Sequence, residues 1–210
     1  MDHVAIMKKT KIEGIIFDLG GVLVEDFGRQ FLDNASRKLK VPATKLKKVI
    51  QQEEAALQKG KETSLEFWRR VCGQLKIECP LDKVLETLWT RPYRKHARIK
   101  KDMLKLVKKL REQYKVVVLS NTIKEHSKIN GERGIFDYFD AVLLSNEIGL
   151  RKPEKKFFQE ASKKLSISPD RLLFVDDEMR WVKAARKHGL RAILFKSKES
   201  LEETVSKLRR

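Results

Sequence analysis

The sequence is poor in cysteine, in proline and in long apolar runs. Only two cysteines and five prolines occur among 210 residues. The spacing of Cys72 and Cys79 matches no common zinc or redox motif, so we expect reduced, inert thiols. No apolar run approaches the roughly 20 residues that a membrane-spanning helix needs. The first nine residues also lack the apolar core of a signal peptide. These absences exclude a disulfide scaffold and predict a cytoplasmic protein without a membrane partner.

Acidic residues are outnumbered by basic ones. The chain has 29 Asp and Glu against 47 Lys and Arg, which gives a formal net charge of +18. A basic excess favours phosphorylated or polyanionic partners. The alternative is a heavily solvated surface, rich in Lys and Glu, of the kind found in proteins from hot environments. We favour the solvated surface, because net charge bears on solubility and encounter rather than on fold.

Apolar runs alternate with amphipathic stretches along most of the chain. The runs at residues 12–19, 116–119, 139–144, 172–175 and 192–195 are typical of buried strands. Amphipathic helical patterns separate the later runs. Among them we predict a helix from Thr122 to about Ile129, and another from Glu154 to Leu165 with Pro153 at its first turn. Strands that alternate with helices predict an α/β fold with a doubly wound, parallel, Rossmann-like sheet.

Residues 28–91 have a different character, because helical spacing of apolar residues continues through them without a strand pattern. We therefore predict an inserted α-helical cap domain over residues 28–91, whose last helix starts at residues 80–82. The α/β core domain would then comprise residues 1–27 and 92–210. Trp68 and Trp89 are interpreted as core residues of the helical insert rather than as a ligand platform.

Polar residues follow four of the predicted strands. They are Asp18, then Ser120 and Asn121, then Lys152 in the loop after the third strand, then Asp176 and Asp177. Because the carboxyl ends of parallel strands meet at one edge of a sheet, we expect these groups to converge. Each alone could be an ordinary turn or N-cap residue, but their joint occurrence argues against that.

Converging carboxylates of this kind have a definite chemistry. Three carboxylates in one cleft repel each other unless a divalent cation binds, and ligands that are all oxygen favour Mg²⁺. Lys152 and Ser120 would bind phosphoryl oxygens. One carboxylate could attack phosphorus and form an aspartyl-phosphate, which water then hydrolyses.

The same residues lie in stretches that resemble the four motifs of the haloacid dehalogenase-like hydrolase superfamily. These stretches are residues 17–23, 119–121, 149–153 and 174–177. The helical insert is similar to the small α-helical cap of that superfamily. The resemblance implies that Asp18 is the nucleophile, that Lys152 stabilises it, and that Ser120 binds phosphate with Asn121 beside it. It implies a Mg²⁺ site formed by Asp18, Asp176, Asp177 and the carbonyl of Gly20.

From this resemblance we expect a Mg²⁺-dependent phosphatase that acts on a small phosphorylated substrate, such as a sugar phosphate. Separately, we expect a monomer. A dehalogenase fits less well, because dehalogenases of the superfamily work without metal.

Gly20 departs from the pattern of many phosphatases in this superfamily, which carry an aspartate there as general acid and base. Glycine has no proton to give, and general acid–base catalysis typically contributes about 10²–10⁴-fold. A good leaving group, such as an anomeric or acyl phosphate, would need no acid. Alternatively, Glu25, Asp26 or a cap residue substitutes, or the protein binds a polyanion and has lost turnover. The Leu-Gly-Gly-Val motif is similar to that of the superfamily branch that contains sugar-phosphate phosphatases. We therefore favour a slow or selective phosphatase.

The basic stretch, residues 91–101, lies where the helical insert returns to the core. It could steer an anionic substrate, contact a nucleic-acid backbone, or be a solvated linker. Its one aromatic residue, Tyr93, gives little support for base stacking. Nucleic acid is therefore a possible partner that no sequence motif supports. The four histidines show no ligand spacing and are interpreted as surface or structural residues.

Overall fold

The computed structural model describes residues 10–78, 83 and 85–208. Its five strands are β1 (Gly14–Phe17), β2 (Lys115–Ser120), β3 (Ala141–Leu144), β4 (Leu172–Asp176) and β5 (Arg191–Leu194). They form one sheet in the order β3-β2-β1-β4-β5, and every pairing is parallel. Ile15 of the central strand pairs with Val116 on one side and Leu173 on the other. The predicted doubly wound α/β fold is confirmed.

Helices follow the strands and fill the insert. They are α1 (Gly28–Leu39), α2 (Ala43–Gln58), α3 (Ser64–Leu75), α4 (Arg91–His96), α5 (Lys101–Arg111), α6 (Lys124–Glu132), α7 (Ser145–Ile148), α8 (Lys155–Leu165), α9 (Met179–Lys187) and α10 (Lys198–Leu208). A π-helical segment covers Leu85–Thr90, and short 3₁₀ turns cover Ile135–Tyr138 and Pro169–Arg171. In the described part of the chain, no helix has both the length and the hydropathy needed to cross a bilayer.

The sheet has an apolar core on each face. Successive side chains of a strand point to opposite faces. Ile15 and Phe17 therefore pack with α5, whose Met103 and Val107 are buried, while Ile16 lies in the cluster on the other face. All four residues of β1 are buried, which explains why its sequence is a continuous apolar run. Asp18 is the first residue after this strand, so it lies at the carboxyl edge of the sheet.

Helices α1 to α3 and the π-helical segment enclose a third apolar cluster, which includes Phe67, Trp68 and Trp89. Helix α3 begins with a capping box, in which Thr63 and Glu66 bond each other's backbone N–H groups. Ile123, which follows β2, joins the same cluster, so the helical insert packs against the carboxyl edge of the sheet. The exact domain boundaries, at residues 27/28 and 91/92, stay a prediction.

Several predicted element boundaries were wrong by a few residues. The first strand covers residues 14–17 instead of 12–19, because the backbone turns after Asp18: Leu23 N–H and Val24 N–H both donate to the Leu19 carbonyl. The helix predicted from Thr122 begins at Lys124, since the Ser145 hydroxyl accepts the Thr122 N–H at 2.9 Å.

Other differences concern proline and the basic stretch. Pro153 was predicted in the first turn of a helix, but α8 begins at Lys155 with Glu154 as its N-cap. Part of the basic stretch forms α4, and the buried ring of Tyr93 anchors that helix to the core. Cys72 is buried in α3, whereas Cys79 and the helix start predicted at residues 80–82 lie outside the described residues.

Candidate active site

Three carboxylates meet at the carboxyl edge of the sheet. Asp18 follows β1, and its N–H donates to the Val175 carbonyl of β4 at 2.9 Å. Asp176 ends β4 and is fully buried, while Asp177 is partly exposed. Ligand oxygens of Asp18, Asp176 and Asp177 all lie within 4.8 Å of one another. The predicted convergence of these strand ends is therefore seen in the structure.

Lys152 lies between two of these carboxylates. Its Nζ is 2.9 Å from Asp18 Oδ1 and 2.6 Å from Asp176 Oδ2. Only 1% of Lys152 is exposed. Asn121 holds the lysine backbone: its Nδ2 donates to the Lys152 carbonyl at 3.1 Å, and its Oδ1 accepts the Lys152 N–H at 2.8 Å. Both amide atoms of Asn121 thus position Lys152.

Burial and like charge set the electrostatics of the cluster. Burial raises the pKa of Asp18 to about 7; the Lys152 charge opposes this rise and Asp176 adds to it. Burial and the Asp176 charge raise the pKa of Asp177 to about 6. Burial lowers the pKa of Lys152, but its carboxylate neighbours outweigh that effect and the net pKa is raised, so it stays an ammonium. One cation among three carboxylates leaves an excess of negative charge.

The donor atoms of the cluster fit a hard divalent cation. They are carboxylate oxygens, which suit Mg²⁺. Asp176 is held on both sides, because its Oδ1 accepts the Glu178 N–H at 2.8 Å and its Oδ2 bonds Lys152. Gly21 has φ +72°, and a Cβ built there would lie 1.9 Å from Asp177 Oδ2. Only glycine lets the loop after Asp18 approach this carboxylate so closely.

Ser120 and Gly20 complete the predicted set. Ser120 ends β2, is 4% exposed, and lines the same cavity as Asp18. Gly20 is exposed in the loop after Asp18, and a Cβ built on it would meet nothing within 4 Å. Space alone therefore does not require glycine at this position.

A cavity of about 370 Å³ opens above the cluster, between the core and the helical insert. Asp18, Ser120, Asn121, Lys152 and Asp177 line its floor. Other lining residues come from the insert and its neighbours, and several of them carry rings. They include Phe31, Phe67, Trp89, Tyr93 and His126.

Sequence reasoning missed this part of the cavity wall. Trp89 was interpreted as core, and it is buried, but it also lines the cavity. His126 stacks on Tyr93, with ring centroids 3.8 Å apart and 10° between the planes. Burial lowers the pKa of His126 to about 3, so the ring is neutral near pH 7. Neither residue belongs to a local motif, so no sequence signal marked them.

Much of the basic stretch is bound to the protein itself. Arg94 and Arg98 form ion pairs at 2.7 and 3.1 Å. The Lys100 ammonium donates to the carbonyl of Gly21 and so supports the loop after Asp18. These contacts attach the basic stretch to the rest of the protein, so it is not simply the solvated linker considered from sequence.

Residues 12–189 match the haloacid dehalogenase-like hydrolases. Curated relatives include a glyceraldehyde 3-phosphate phosphatase of Methanothermobacter thermautotrophicus, 34% identical over 87 residues, or 40% of this chain and 38% of that protein. A drimenol cyclase of Aspergillus calidoustus is 30% identical over 95 residues, which are 45% of this chain and 18% of the cyclase. The chain thus spans well under two thirds of these relatives.

Solved structures cover more of the chain. A Bacteroides thetaiotaomicron enzyme of the same family, in complex with magnesium and inorganic phosphate, superposes with a TM-score of 0.72 at 25% identity, over 92% of this chain and 98% of that one. The L-2-haloacid dehalogenase of Xanthobacter autotrophicus shares the fold, with a TM-score of 0.64 and 19% identity over 93% and 83% of the two chains. With a family match across most of its length, the chain belongs to the haloacid dehalogenase-like hydrolases.

Proposed function

We propose that the protein is a Mg²⁺-dependent phosphatase that hydrolyses a small phosphate monoester, with Asp18 as nucleophile. The observation that carries the proposal is the buried Lys152 ammonium between Asp18 and Asp176, beside Asp177, at the floor of a cavity. The phosphatase among the curated relatives and the magnesium and phosphate in the Bacteroides enzyme support it.

In this mechanism an Asp18 oxygen attacks phosphorus. The bond from phosphorus to the ester oxygen breaks, and the leaving group departs with its electron pair, which leaves an aspartyl-phosphate. Water then attacks that phosphorus, releasing inorganic phosphate and restoring Asp18. Magnesium, bound by Asp18, Asp176, Asp177 and the Gly20 carbonyl, would supply charge neutralisation for the phosphoryl oxygens.

Lys152 and Ser120 act on the same reactants. The Lys152 ammonium favours the ionised form of Asp18 that attack requires, and it can donate to a phosphoryl oxygen. The Ser120 hydroxyl would donate to a second phosphoryl oxygen. Asn121 positions Lys152 through its backbone, and a direct contact of Asn121 with phosphate stays a prediction.

The leaving group needs little help from an acid in this proposal. The Glu25 carboxylate pairs with Arg98 at 3.1 Å, and Asp26 accepts the Gly28 N–H at 2.8 Å. His126 is neutral near pH 7 and holds no dissociable proton of suitable acidity. With Gly20 beside the nucleophile, these contacts favour an ester whose leaving group is stable as an anion, such as an anomeric or acyl phosphate.

Asp18→Asn tests the mechanism. We expect phosphate release from p-nitrophenyl phosphate with Mg²⁺ to fall by about 10³-fold or more, because the amide is a poor nucleophile. Asp102→Asn, an exposed change on α5, serves as the control and keeps wild-type turnover. Turnover that survives Asp18→Asn would contradict the proposal.

The second candidate function is a binding protein that uses its +18 charge on nucleic acid and does not turn over. Gly20 and the basic excess favour it, while the internal ion pairs of the basic stretch count against it. Duplex DNA binding that weakens steeply with salt, in a protein that hydrolyses no phosphate ester, would support this candidate. A monomeric state and a cytoplasmic location remain parts of the first proposal, and gel filtration tests the former.

A further inference from the structure

The charge of the cavity is opposite to that of the whole chain. Six carboxylates line it against three cations. The carboxylates belong to Asp18, Glu25, Asp26, Glu54, Asp177 and Glu178, and the cations to Arg151, Lys152 and Arg180. The net charge of +18 predicts a basic pocket, but acidic residues outnumber basic ones in the lining.

Each of those cations already has an acidic partner. Lys152 pairs with Asp18 and Asp176, Arg151 with Glu54 at 3.0 Å, and Arg180 with Glu178 at 2.7 Å. Within the described residues, therefore, the cavity offers no unpaired cation. A bound magnesium ion and Lys152 would neutralise one phosphoryl group. A second anionic group on the substrate would then meet no free cation, in a lining where carboxylates outnumber cations.

Four polar atoms on the cavity wall lack a hydrogen-bond partner in the part of the chain that the structure describes. They are Trp89 Nε1, His126 Nε2, Gln58 Oε1 and Arg151 Nε. Trp89 is 5% exposed, so its unpaired N–H lies almost out of reach of bulk water. A buried polar atom without a partner is destabilising, and in native proteins such an atom usually bonds a water or a ligand.

These four atoms come from different parts of the chain and differ in hydrogen-bonding character. The indole N–H and the Arg151 Nε–H only donate, and the Gln58 carbonyl oxygen only accepts. A neutral imidazole nitrogen does one or the other according to its tautomer. Gln58 is fixed in orientation, because its Nε2 donates to Glu54 at 3.1 Å. A hydroxyl both donates and accepts, so hydroxyl groups on a ligand match this set.

We propose that the cavity selects phosphate monoesters whose leaving group is uncharged and hydroxylated, and rejects esters that carry a second anionic group. Trp89, His126 and Gln58 are the specificity-determining residues, and the acidic lining is the source of rejection. The proposal rests on the phosphatase function proposed above and names its substrate class.

Pairs of esters that differ in one group test the proposal on the wild-type enzyme with Mg²⁺. Glycerol 3-phosphate is compared with 3-phosphoglycerate, in which a carboxylate replaces the hydroxymethyl group. Fructose 6-phosphate is compared with fructose 1,6-bisphosphate. We expect kcat/KM to favour the member with one anionic group by at least about tenfold in each pair. Equal values, or a preference for the second anion, would overturn the proposal.

Trp89→Phe tests the hydrogen-bond wall, since it keeps an aromatic ring and removes the N–H. We expect KM for glycerol 3-phosphate to rise about five- to tenfold, and by less for p-nitrophenyl phosphate, whose leaving group has no additional hydroxyl. Trp68→Phe is the matched control: its Nε1 is also buried and unpaired among the described residues, but Trp68 does not line the cavity. Equal losses on both substrates, or in both variants, would contradict a specificity role for Trp89.

Glu54→Gln tests the charge argument, because it removes a carboxylate and frees the Arg151 guanidinium. We expect the preference for glycerol 3-phosphate over 3-phosphoglycerate to shrink about fivefold. An unchanged preference would remove the acidic lining as the cause.

Calorimetric binding of the same ester pairs to Asp18→Asn, with Mg²⁺, separates this proposal from the phosphatase proposal. Tighter binding of the esters with one anionic group, without wild-type turnover of any ester, would contradict the phosphatase proposal alone. Wild-type turnover combined with tighter binding of the esters with two anionic groups would contradict the selectivity proposal alone.

Discussion

At the scale of single residues, two adjacent glycines after the nucleophile have opposite surroundings. Gly20 has open space where a side chain would be, whereas Gly21 lies against Asp177 with a positive φ. The two positions therefore respond differently to substitution, and each response reports on a separate part of the proposed chemistry.

Gly20→Asp places a carboxylate two residues after Asp18, in space that a Cβ can occupy. A general acid helps poor leaving groups most, so we expect kcat for glycerol 3-phosphate to rise by up to about 10²-fold. Turnover of p-nitrophenyl phosphate, whose leaving group is already stable, should change little. The two substrates are assayed side by side, and an equal change in both would rule out acid catalysis by the new carboxylate.

Gly21→Ala should damage the predicted metal site, because the new Cβ would lie 1.9 Å from Asp177 Oδ2. We expect the Mg²⁺ concentration for half-maximal activity to rise by about tenfold or more, as for other changes that displace a metal ligand. The measurement is a Mg²⁺ titration of phosphatase activity. Gly73→Ala is the control, because a Cβ there meets nothing within 4 Å, and its titration should match the wild type.

His126 should make folding stability depend on pH. Burial lowers its pKa to about 3 from the ordinary 6.5, so between these values the unfolded chain binds more protons than the folded chain. This contribution to stability is present above pH 6.5 and is lost as the pH falls toward 3, with a slope of up to about 1.4 kcal/mol per pH unit. Urea unfolding of the wild type and of His126→Phe across pH 4 to 7 measures it.

The control for this measurement is His96→Gln, since His96 is exposed. Its unfolding free energy should follow the wild-type pH dependence. A wild-type slope in His126→Phe would show that the imidazole is not kept neutral by burial.

At the scale of secondary structure, the helical insert depends on a local signal at the start of α3. The Thr63 hydroxyl accepts the Glu66 N–H at 3.2 Å, and the Glu66 carboxylate accepts the Thr63 N–H at 2.7 Å. This reciprocal pair fixes the first turn of the helix that buries Phe67 and Trp68. The start of the helix and its apolar face are therefore set by neighbouring residues.

Thr63→Ala removes one half of this capping box. We expect the unfolding free energy to fall by about 1 kcal/mol, as for other N-cap threonines. Urea denaturation measures the change. Thr204→Ala is the control, because the Thr204 hydroxyl bonds the Ser200 carbonyl within α10 and caps no helix. An equal loss in both variants would mean that capping contributes nothing specific.

Local patterns of this kind explain which elements were predictable. Continuous apolar runs located all five strands, and the rule that parallel strands end at one edge anticipated the meeting of Asp18, Lys152 and Asp176. Element ends were less predictable, because distant contacts decide them, as Ser145 does at Thr122.

The cavity wall could not be predicted, and the reason is physical. Trp89, His126 and Gln58 belong to three separate elements that meet only when the helical insert packs on the sheet edge. The sequence around each of them is that of an ordinary helix and carries no motif that marks a binding residue. Their unpaired atoms become visible only when all the neighbours are in place.

At the scale of the whole molecule, magnesium binding should be linked to folding. The raised pKa values of Asp18 and Asp177 show that their ionised forms are disfavoured, and a divalent cation relieves that repulsion. At a concentration of 100 times Kd, a ligand specific to the folded state stabilises it by about 2.7 kcal/mol. We expect the Tm to rise with Mg²⁺ and to return to its starting value when a chelator is added.

Asp177→Asn is the matched variant for this measurement, because it removes one charge from the predicted site. It should have a higher Tm than the wild type without metal, and a smaller rise with Mg²⁺. A Mg²⁺ response of wild-type size in this variant would exclude Asp177 as a ligand.

The central position of β1 has a consequence for how the protein is synthesised. Asp18 leaves the ribosome before both neighbours of its strand, which are β2 and, much further along the chain, β4. Until residues 172–177 are translated, β1 has an unpaired edge, and neither Asp176 nor Asp177 exists to complete the cluster. Nascent chains that stop before β4 would thus be inert and prone to aggregate, because such non-local pairing delays folding and leaves strand edges exposed.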